Sequence, residues 1–287
     1  MEGRMNMSEF WKNINTYYKR YGLHATIVRI MDKLTGQSRV DYMTWYQKTK
    51  PTKQVLKIQR ETTFPYMPEI LVIVLENKSG SHRLADSLKN QTYSRWKLCK
   101  IRELNDVVEI LKEAKEEYVL ITQPEDELSA DAFFQCVKSL NADRTIEAIY
   151  SDDDIIKNET EYEEPAMKPD LNLDMLRSCN YIHNFLLVKK KLCQELFEEC
   201  LESWNGQIDW KYDFIFRCIE EKHSIHHIAK VLYHRNVEHV QVCDEQERKA
   251  IDMHLKRMNI KGNVEKTEYR GIYRVRYTMK ETPLISI

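Results

Sequence analysis

Between Pro68 and Asp154 the chain alternates four times between a short apolar run and an amphipathic stretch, and this rhythm restricts the fold more than any other feature. "EILVIVL", "WKLCKI", "YVLITQ" and "IEAIYSD" read as strands. "HRLADSLKNQ", "DVVEILKEAKE" and "ADAFFQCVKSL", the last opened by Ser129, carry the 3.6-residue spacing of helices. A run that is apolar at nearly every position has no polar face to give to solvent, so it belongs to a strand covered on both sides. Strand–helix alternation of this kind predicts an α/β fold with a parallel sheet, whose ligands bind outside the carboxyl ends of the strands.

After Asp154 the rhythm loosens through "IIKNETEYEEPAMKPDLNLD". Helices are expected around "DMLRSCN", "KKKLCQELFEECL" and "DWKYDFIFRCIEEK", then a strand at "SIHHIAKVLYH" and a polar helix at "DEQERKAIDMHLKRMN". The first 35 residues read as helix, with Phe10, Ile14, Tyr17, Tyr18 and Tyr21 on one stripe and Ile27, Ile30, Met31 and Leu34 continuing it. Basic residues interleave with that stripe, so it suits either an anionic membrane face or the surface of its own domain. Residues 37–66 read as an irregular lead-in. The expected division is a helical and irregular extension over 1–66, the α/β domain over 67–262, and a tail over 263–287.

Composition removes several functions. Glycine numbers 7, where average usage of about 7% would supply roughly 20, so Gly-rich phosphate loops are not to be expected. The 44 basic and 45 acidic residues nearly cancel, which argues against nucleic acid as a partner. The 7 cysteines are odd in number and form no CxxC pair, which points away from a zinc cage or a disulfide framework and toward a reducing compartment. No signal-peptide pattern opens the chain, and the apolar run Ile70 to Leu75 is far below the roughly 20 residues of a membrane span. A cytoplasmic protein, with contact at the inner membrane face through the first helix, is the expectation.

Five stretches then occur in order: "LKNQTYSRWKLC", "EEYVLITQPEDEL", "IYSDDDII", "MKPDLNLDMLRSCNYIHNFLLVKKKL" and "YDFIFRCIEEKHSIHHIAKVLYHR". Together they resemble the family 2 glycosyltransferases of the GT-A fold, in particular the branch used in bacterial surface polysaccharide synthesis. The resemblance spans about residues 68 to 235, and "YRVRY" before "PLISI" is similar to the junction between tandem transferase domains. It implies a nucleotide-sugar donor, a glycan or lipid-linked acceptor, and Mg²⁺ or Mn²⁺ held by a D-x-D motif.

At the D-x-D position this chain has Gln123, Pro124 and Glu125, followed by Asp126. Metal ligation would fall to Glu125 and Asp126; otherwise the acidic turn is a solvated approach to the next helix. The resemblance places nucleotide contacts after the first two strands, at Glu76, Arg102 and Glu103. Arg102 stands at or beside an expected Asp, and a guanidinium cannot accept a hydrogen bond. The general base is expected at Lys211, which leaves Asp209 and Asp213 on the same helix as carboxylates near the acceptor; Asp213 matches a position thought to be structural. Asp152 and Asp153, in the run to Asp154, read as sugar or metal contacts or as a charged turn, and His234 as a pyrophosphate or metal contact or a structural residue. His226 and His227 are adjacent on a strand and cannot chelate together. Two readings follow: a transferase of weakened activity, or a catalytically inactive GT-A domain kept for binding or scaffolding.

Overall fold

A computed structural model describes residues 42–76, 81–204, 206–220, 223–236 and 244–278, together with eight positions between Ile14 and Met31. The first three strands, β1 (Ile70–Leu75), β2 (Trp96–Ile101) and β3 (Tyr118–Thr122), lie side by side in the order β2-β1-β3 and run parallel. The sheet continues through β7 (Leu186–Lys189), β5 (Ala148–Ile156), β8 (Ile225–Arg235) and the two-residue β4 (Glu127–Leu128), with β6 (Tyr162–Ala166) paired to β5. Strands β1, β2, β3, β5 and β8 share one direction, while β4, β6 and β7 oppose it. The α/β fold with a mostly parallel sheet, expected from the alternation, is the one observed.

Alternation along β1 divides the core. Leu71 and Ile73 face a layer containing α4 (Asp106–Glu113), α7 (Lys190–Cys200), α8 (Trp210–Glu220) and α9 (Asp244–Arg257). Ile70, Val72 and Val74 face α3 (Arg83–Lys89) and α5 (Ala132–Ala142). All five residues are buried, because a strand inside a two-sided layer gives neither side to water.

Three differences from the sequence reading have local causes. The lead-in is not irregular: it holds α1 (Tyr42–Thr49) and α2 (Lys53–Glu61), separated by Pro51 and restarted by Thr52, whose hydroxyl accepts from the Val55 amide. The stretch "FLLV" forms most of β7, an antiparallel strand between β3 and β5. The segment after residue 262 forms a hairpin, β9 (Gly262–Lys266) with β10 (Tyr273–Tyr277), whose Val264 and Tyr273 are buried in the larger core. The short helix α6 (Leu173–Ser178) is capped by Asn172.

Among the described positions of the first helix, Thr26 is buried while Tyr18, Leu23, Ile27 and Met31 are exposed. Phe10, Tyr17, Tyr21, Leu34, Cys243 and the "PLISI" tail lie outside the described residues. No described helix is long and apolar enough to cross a membrane.

Candidate functional site

The carboxyl ends of β1, β2 and β3 form one rim. Leu75 stands opposite Ile101 and Val74 opposite Thr122, so Glu76, Arg102 and Gln123 leave the sheet side by side. The Glu76 amide donates to Ile101 O at 2.8 Å, and Lys100 Nζ lies 2.9 Å from Glu76 Oε1. The Lys100 hydrogen bond and charge hold the Glu76 carboxyl below its ordinary range. Arg102 and Glu103 are exposed, and both their amides donate to Asp106 Oδ2, at 3.3 and 3.2 Å. A cleft lined by Val74, Glu76, His82, Leu98, Lys100 and Pro124 joins this rim to the acidic turn.

The turn itself is not a solvated helix approach. Gln123 to Asp126 reverse the chain from β3 into β4, and β4 pairs with the end of β8, Glu127 opposite His234 and Leu128 opposite Tyr233. Glu125 is buried and Asp126 wholly so. Asp126 accepts from the Tyr233 hydroxyl at 2.5 Å, the Asn236 amide at 2.8 Å and Asn184 Nδ2 at 3.1 Å. Tyr233 also bonds the Thr122 hydroxyl, which ties the turn to the last residue of β3. Burial pushes the Asp126 pKa up, against the hydrogen bonds of Tyr233 and Asn236 and the charge of Lys211.

This donor set does not fit a divalent cation. Both oxygens of Asp126 already accept protein hydrogen bonds, Gln123 offers a neutral amide, and no three His, Cys, Asp or Glu side chains converge among the described residues.

The run Asp152 to Asp154 lies within β5 and is neither a turn nor an open ligand set; every residue from Ala148 to Ile156 is buried. Register shifts against β8 between Ser151 and Asp152, and again between Asp152 and Asp153, bend this pair of strands. Asp152 Oδ1 accepts from the Lys168 amide at 2.8 Å and lies 2.9 Å from His227 Nε2. Asp153 meets Lys168 Nζ at 2.6 Å, His183 Nδ1 at 2.9 Å and Arg235 Nε at 2.9 Å. Burial alone would raise the Asp153 pKa, but Arg235, His183 and Lys168 outweigh it and hold the carboxyl far below the carboxylate range.

Asp154 Oδ1 lies 2.5 Å from His234 Nδ1, and its other oxygen accepts from Tyr42 at 2.6 Å. His234 Nε2 is 3.1 Å from the Ser129 hydroxyl and 3.2 Å from that of Tyr46, and its ring stacks on Tyr162 at 3.9 Å. Both ring nitrogens of this buried histidine are therefore engaged within the protein, which matches the structural alternative. His227 stacks on Tyr150 and bonds Asp152.

At the start of α8 the three positions separate in role. Asp209 Oδ1 accepts from the Tyr212 amide at 2.9 Å and caps the helix. Asp213 is wholly buried between Trp204 Nε1, Arg217 Nε and Arg257 Nη2, each at 2.8 Å, and clamps α8 to α9. Lys211 Nζ donates to Asn184 Oδ1 at 3.1 Å, so Asn184 bridges the lysine to Asp126 of the turn. Burial lowers the Lys211 pKa, while Asp126 and Asp209 raise it. Beneath lies a pocket lined mostly by apolar side chains, among them Val119, Ile121, Leu186 and Phe214, with His183, Asn184 and Lys211 as its polar members.

His183 has φ 61°, left-handed backbone that a non-glycine residue adopts at a cost. Sequence reasoning did not single out His183, Asn184 or Tyr233. The signal available was the polar pair His183–Asn184 interrupting the otherwise apolar "YIHNFLLV".

An α/β domain with a polar rim at the carboxyl ends of its parallel strands, and near it a mostly apolar pocket that holds one lysine, is the class that fold and site define. No family model matches the chain. It is 31% identical over 195 residues to the uncharacterized protein y4gI of Sinorhizobium fredii, covering 64% of this chain and 21% of that protein. It is 26% identical over 244 residues to the O-antigen biosynthesis protein RfbC of Myxococcus xanthus, covering 81% of this chain and 18% of that one. The chain thus spans about a fifth of the length of these curated relatives. Among solved structures it is similar to S. aureus TarS 1-349 in complex with UDP-GlcNAc, with TM-score 0.47 and 11% identity over 66% of each chain. It is also similar to the mannosyltransferase PcManGT of Pyrobaculum calidifontis in complex with GDP-Man and Mn²⁺, with TM-score 0.43 and 15% identity over 76% of this chain and 71% of that one.

Proposed function

We propose that the chain is a nucleotide-sugar glycosyltransferase domain that acts, with weakened turnover, on a glycan or lipid-linked acceptor in cell-surface polysaccharide synthesis. The observation that carries this reading is the rim formed by Glu76, Arg102 and Gln123 at three adjacent parallel strand ends, with the cleft beside it and Pro124 of the acidic turn in its wall. Ligands of open α/β sheets bind outside such ends. The relative named for O-antigen biosynthesis supports the polysaccharide context.

In this reading Glu76, Arg102 and Glu103 meet the nucleotide and the Asn184–Lys211 cavity meets the transferring region. Turnover is weak because the charges that stabilise a departing diphosphate and accept the acceptor's proton are reduced. Lys211 is a cation where a base is needed, Asp213 is spent on two arginines, and Asp209 caps a helix. Leu23, Ile27 and Met31, exposed at four-residue spacing, support peripheral contact with the inner membrane face.

Calorimetric titration with UDP, GDP and dTDP, each with and without Mn²⁺, tests the reading. Micromolar binding of one nucleotide supports it, and sugar transfer from the matching donor then follows by product analysis. Absence of binding with all three sinks it. That outcome would favour the second reading, an inactive GT-A module used for partner contacts, which the saturated hydrogen bonding of Asp126 specifically suggests.

A further inference from the structure

Lys211 occupies a position that is unfavourable in three ways at once. It is desolvated, which lowers its pKa. It is the second residue of α8, where the positive end of the helix dipole repels a cation. Of its three ammonium protons one has a hydrogen-bond acceptor, the neutral Asn184 Oδ1 at 3.1 Å, and no carboxylate pairs with it among the described residues. What the fold itself offers this cation is modest: the longer-range attraction of Asp126 and Asp209, and the Trp210 ring, whose centroid lies 5.7 Å from Nζ.

The same three features favour an incoming anion. The ammonium lines the cavity, the first turn of an eleven-residue helix adds its own positive potential, and two ammonium protons remain to be donated. Asn184 fixes the place: its amide nitrogen donates to Asp126 and its oxygen accepts from Lys211, so the ammonium is held beneath the carboxyl end of β3. His183 next to it is kept in left-handed backbone, a local strain of the kind that collects at binding sites.

We propose that Lys211, positioned by Asn184, binds a phosphate group of the substrate directly and without a divalent cation. This deepens the glycosyltransferase reading and rests on it only for what carries the phosphate, which is either the nucleoside diphosphate of a donor or the phosphate of a lipid-linked acceptor. The misfit of the acidic turn to a divalent cation and the presence of a fixed ammonium beside it are then two sides of one arrangement.

The test is calorimetric titration of the full chain in EDTA with inorganic pyrophosphate, UDP and decyl phosphate below its micellar concentration, for wild type, Lys211→Met and Lys211→Arg. Pyrophosphate should bind wild type. UDP binding more tightly than pyrophosphate assigns the site to the donor, and decyl phosphate doing so assigns it to the acceptor. Lys211→Met should weaken binding by about tenfold or more while the protein stays folded, with a melting temperature within a few degrees of wild type. Lys211→Arg should keep most of the affinity.

Pyrophosphate binding with no preference for UDP or decyl phosphate would uphold Lys211 as a phosphate site while counting against the glycosyltransferase reading. Three results overturn the inference: no binding of any probe in EDTA, affinity unchanged in Lys211→Met, or a fall in melting temperature of about ten degrees or more in that variant, which would make the lysine a structural residue.

Discussion

The Lys168 ammonium lies 2.6 Å from the Asp153 carboxylate with both side chains shut away from water, and the same carboxylate also takes Arg235 Nε at 2.9 Å. Removing the shared anion leaves two cations buried without it. Asp153→Asn is therefore expected to destabilise the fold by about 3–5 kcal/mol, measured as a shift in the urea midpoint at constant slope. The folded pKa of Asp153 is depressed, so its stabilisation is complete above the unfolded value near 4 and is lost progressively as pH falls from there toward the depressed folded value. Wild type should lose stability steeply below about pH 4, and the variant should lose less. Equal acid sensitivity in the two would show that the cluster does not stabilise the fold as argued.

His183 and Glu247 pull in opposite directions at mildly acidic pH. Burial and the Arg235 charge push His183 down to about 4, against Asp153 and from an unfolded value of 6.5, so the unfolded state binds the extra proton and stability rises with pH between those values. Burial, with Asp209 and Asp244 adding to it, pushes Glu247 up to about 7 from 4.5, although the Tyr273 hydroxyl bonds it at 2.8 Å. There the folded state binds the extra proton and stability falls as pH rises. Each slope is at most about 1.4 kcal/mol per pH unit, so they nearly cancel from pH 5 to 6. Glu247→Gln should convert a nearly flat melting temperature over that range into one that climbs with pH. A variant as flat as wild type would contradict the assignment.

The N-terminal helices are stitched into the sheet's buried polar network. Tyr42 donates to Asp154, Tyr46 reaches His234, and Gln59 bonds both Asp131 and Thr92. Tyr42→Phe leaves one Asp154 oxygen short of a donor and should cost about 1–3 kcal/mol. Deletion of residues 1–66 should cost far more, or yield insoluble protein, because His234, Tyr162 and the acids beneath would be uncovered. A truncated chain that melts like the full one would restore the extension as a separate unit.

Gly262 opens the C-terminal hairpin where a Cβ would sit 2.9 Å from Arg276 O, a backbone atom that cannot step aside cheaply. Gly262→Ala should destabilise the domain by about 1–3 kcal/mol, and amide exchange should quicken at Val264 and Tyr273, the two buried residues of the hairpin. Faster exchange confined to the hairpin, with no change in global stability, would mark it as a separate appendage.

The sheet strands with strong two-sided patterns were legible in the sequence, and the weak ones were not. Val72 and Leu120 sit in runs that could hardly be anything else, whereas β4 has two residues, Glu127 and Leu128, and exists because the end of β8 lies alongside it. Helix α1 carries Thr44, Gln47, Lys48 and Thr49 among its aromatics and looked irregular. A helix of that length is marginal alone, and it is held by Tyr42 reaching Asp154 and Tyr46 reaching His234, each more than a hundred residues away.

The candidate site divides in the same manner. Glu76, Arg102 and Gln123 could be placed on a rim because each directly follows a recognisable strand. Asp126 could be found but not understood, since its burial and its three donors come from Tyr233, Asn236 and Asn184, all distant in the chain. The Asp152–Asp154 run, with an acidic composition that suits a turn, instead became the polar spine of a buried strand.

By itself the sequence determined the order of the strongly patterned strands and helices, the two-sided core and the row of polar residues at the strand ends, because those follow from apolar periodicity within a dozen residues. Only the tertiary structure decided which charges are buried and with what. Asp153 stays ionised because Lys168, His183 and Arg235 converge on it, whereas among the described residues Lys211 meets only the neutral Asn184 oxygen at bonding distance and feels Asp126 and Asp209 from farther away. Desolvation and pairing depend on contacts between distant segments, and local patterning carries no record of them.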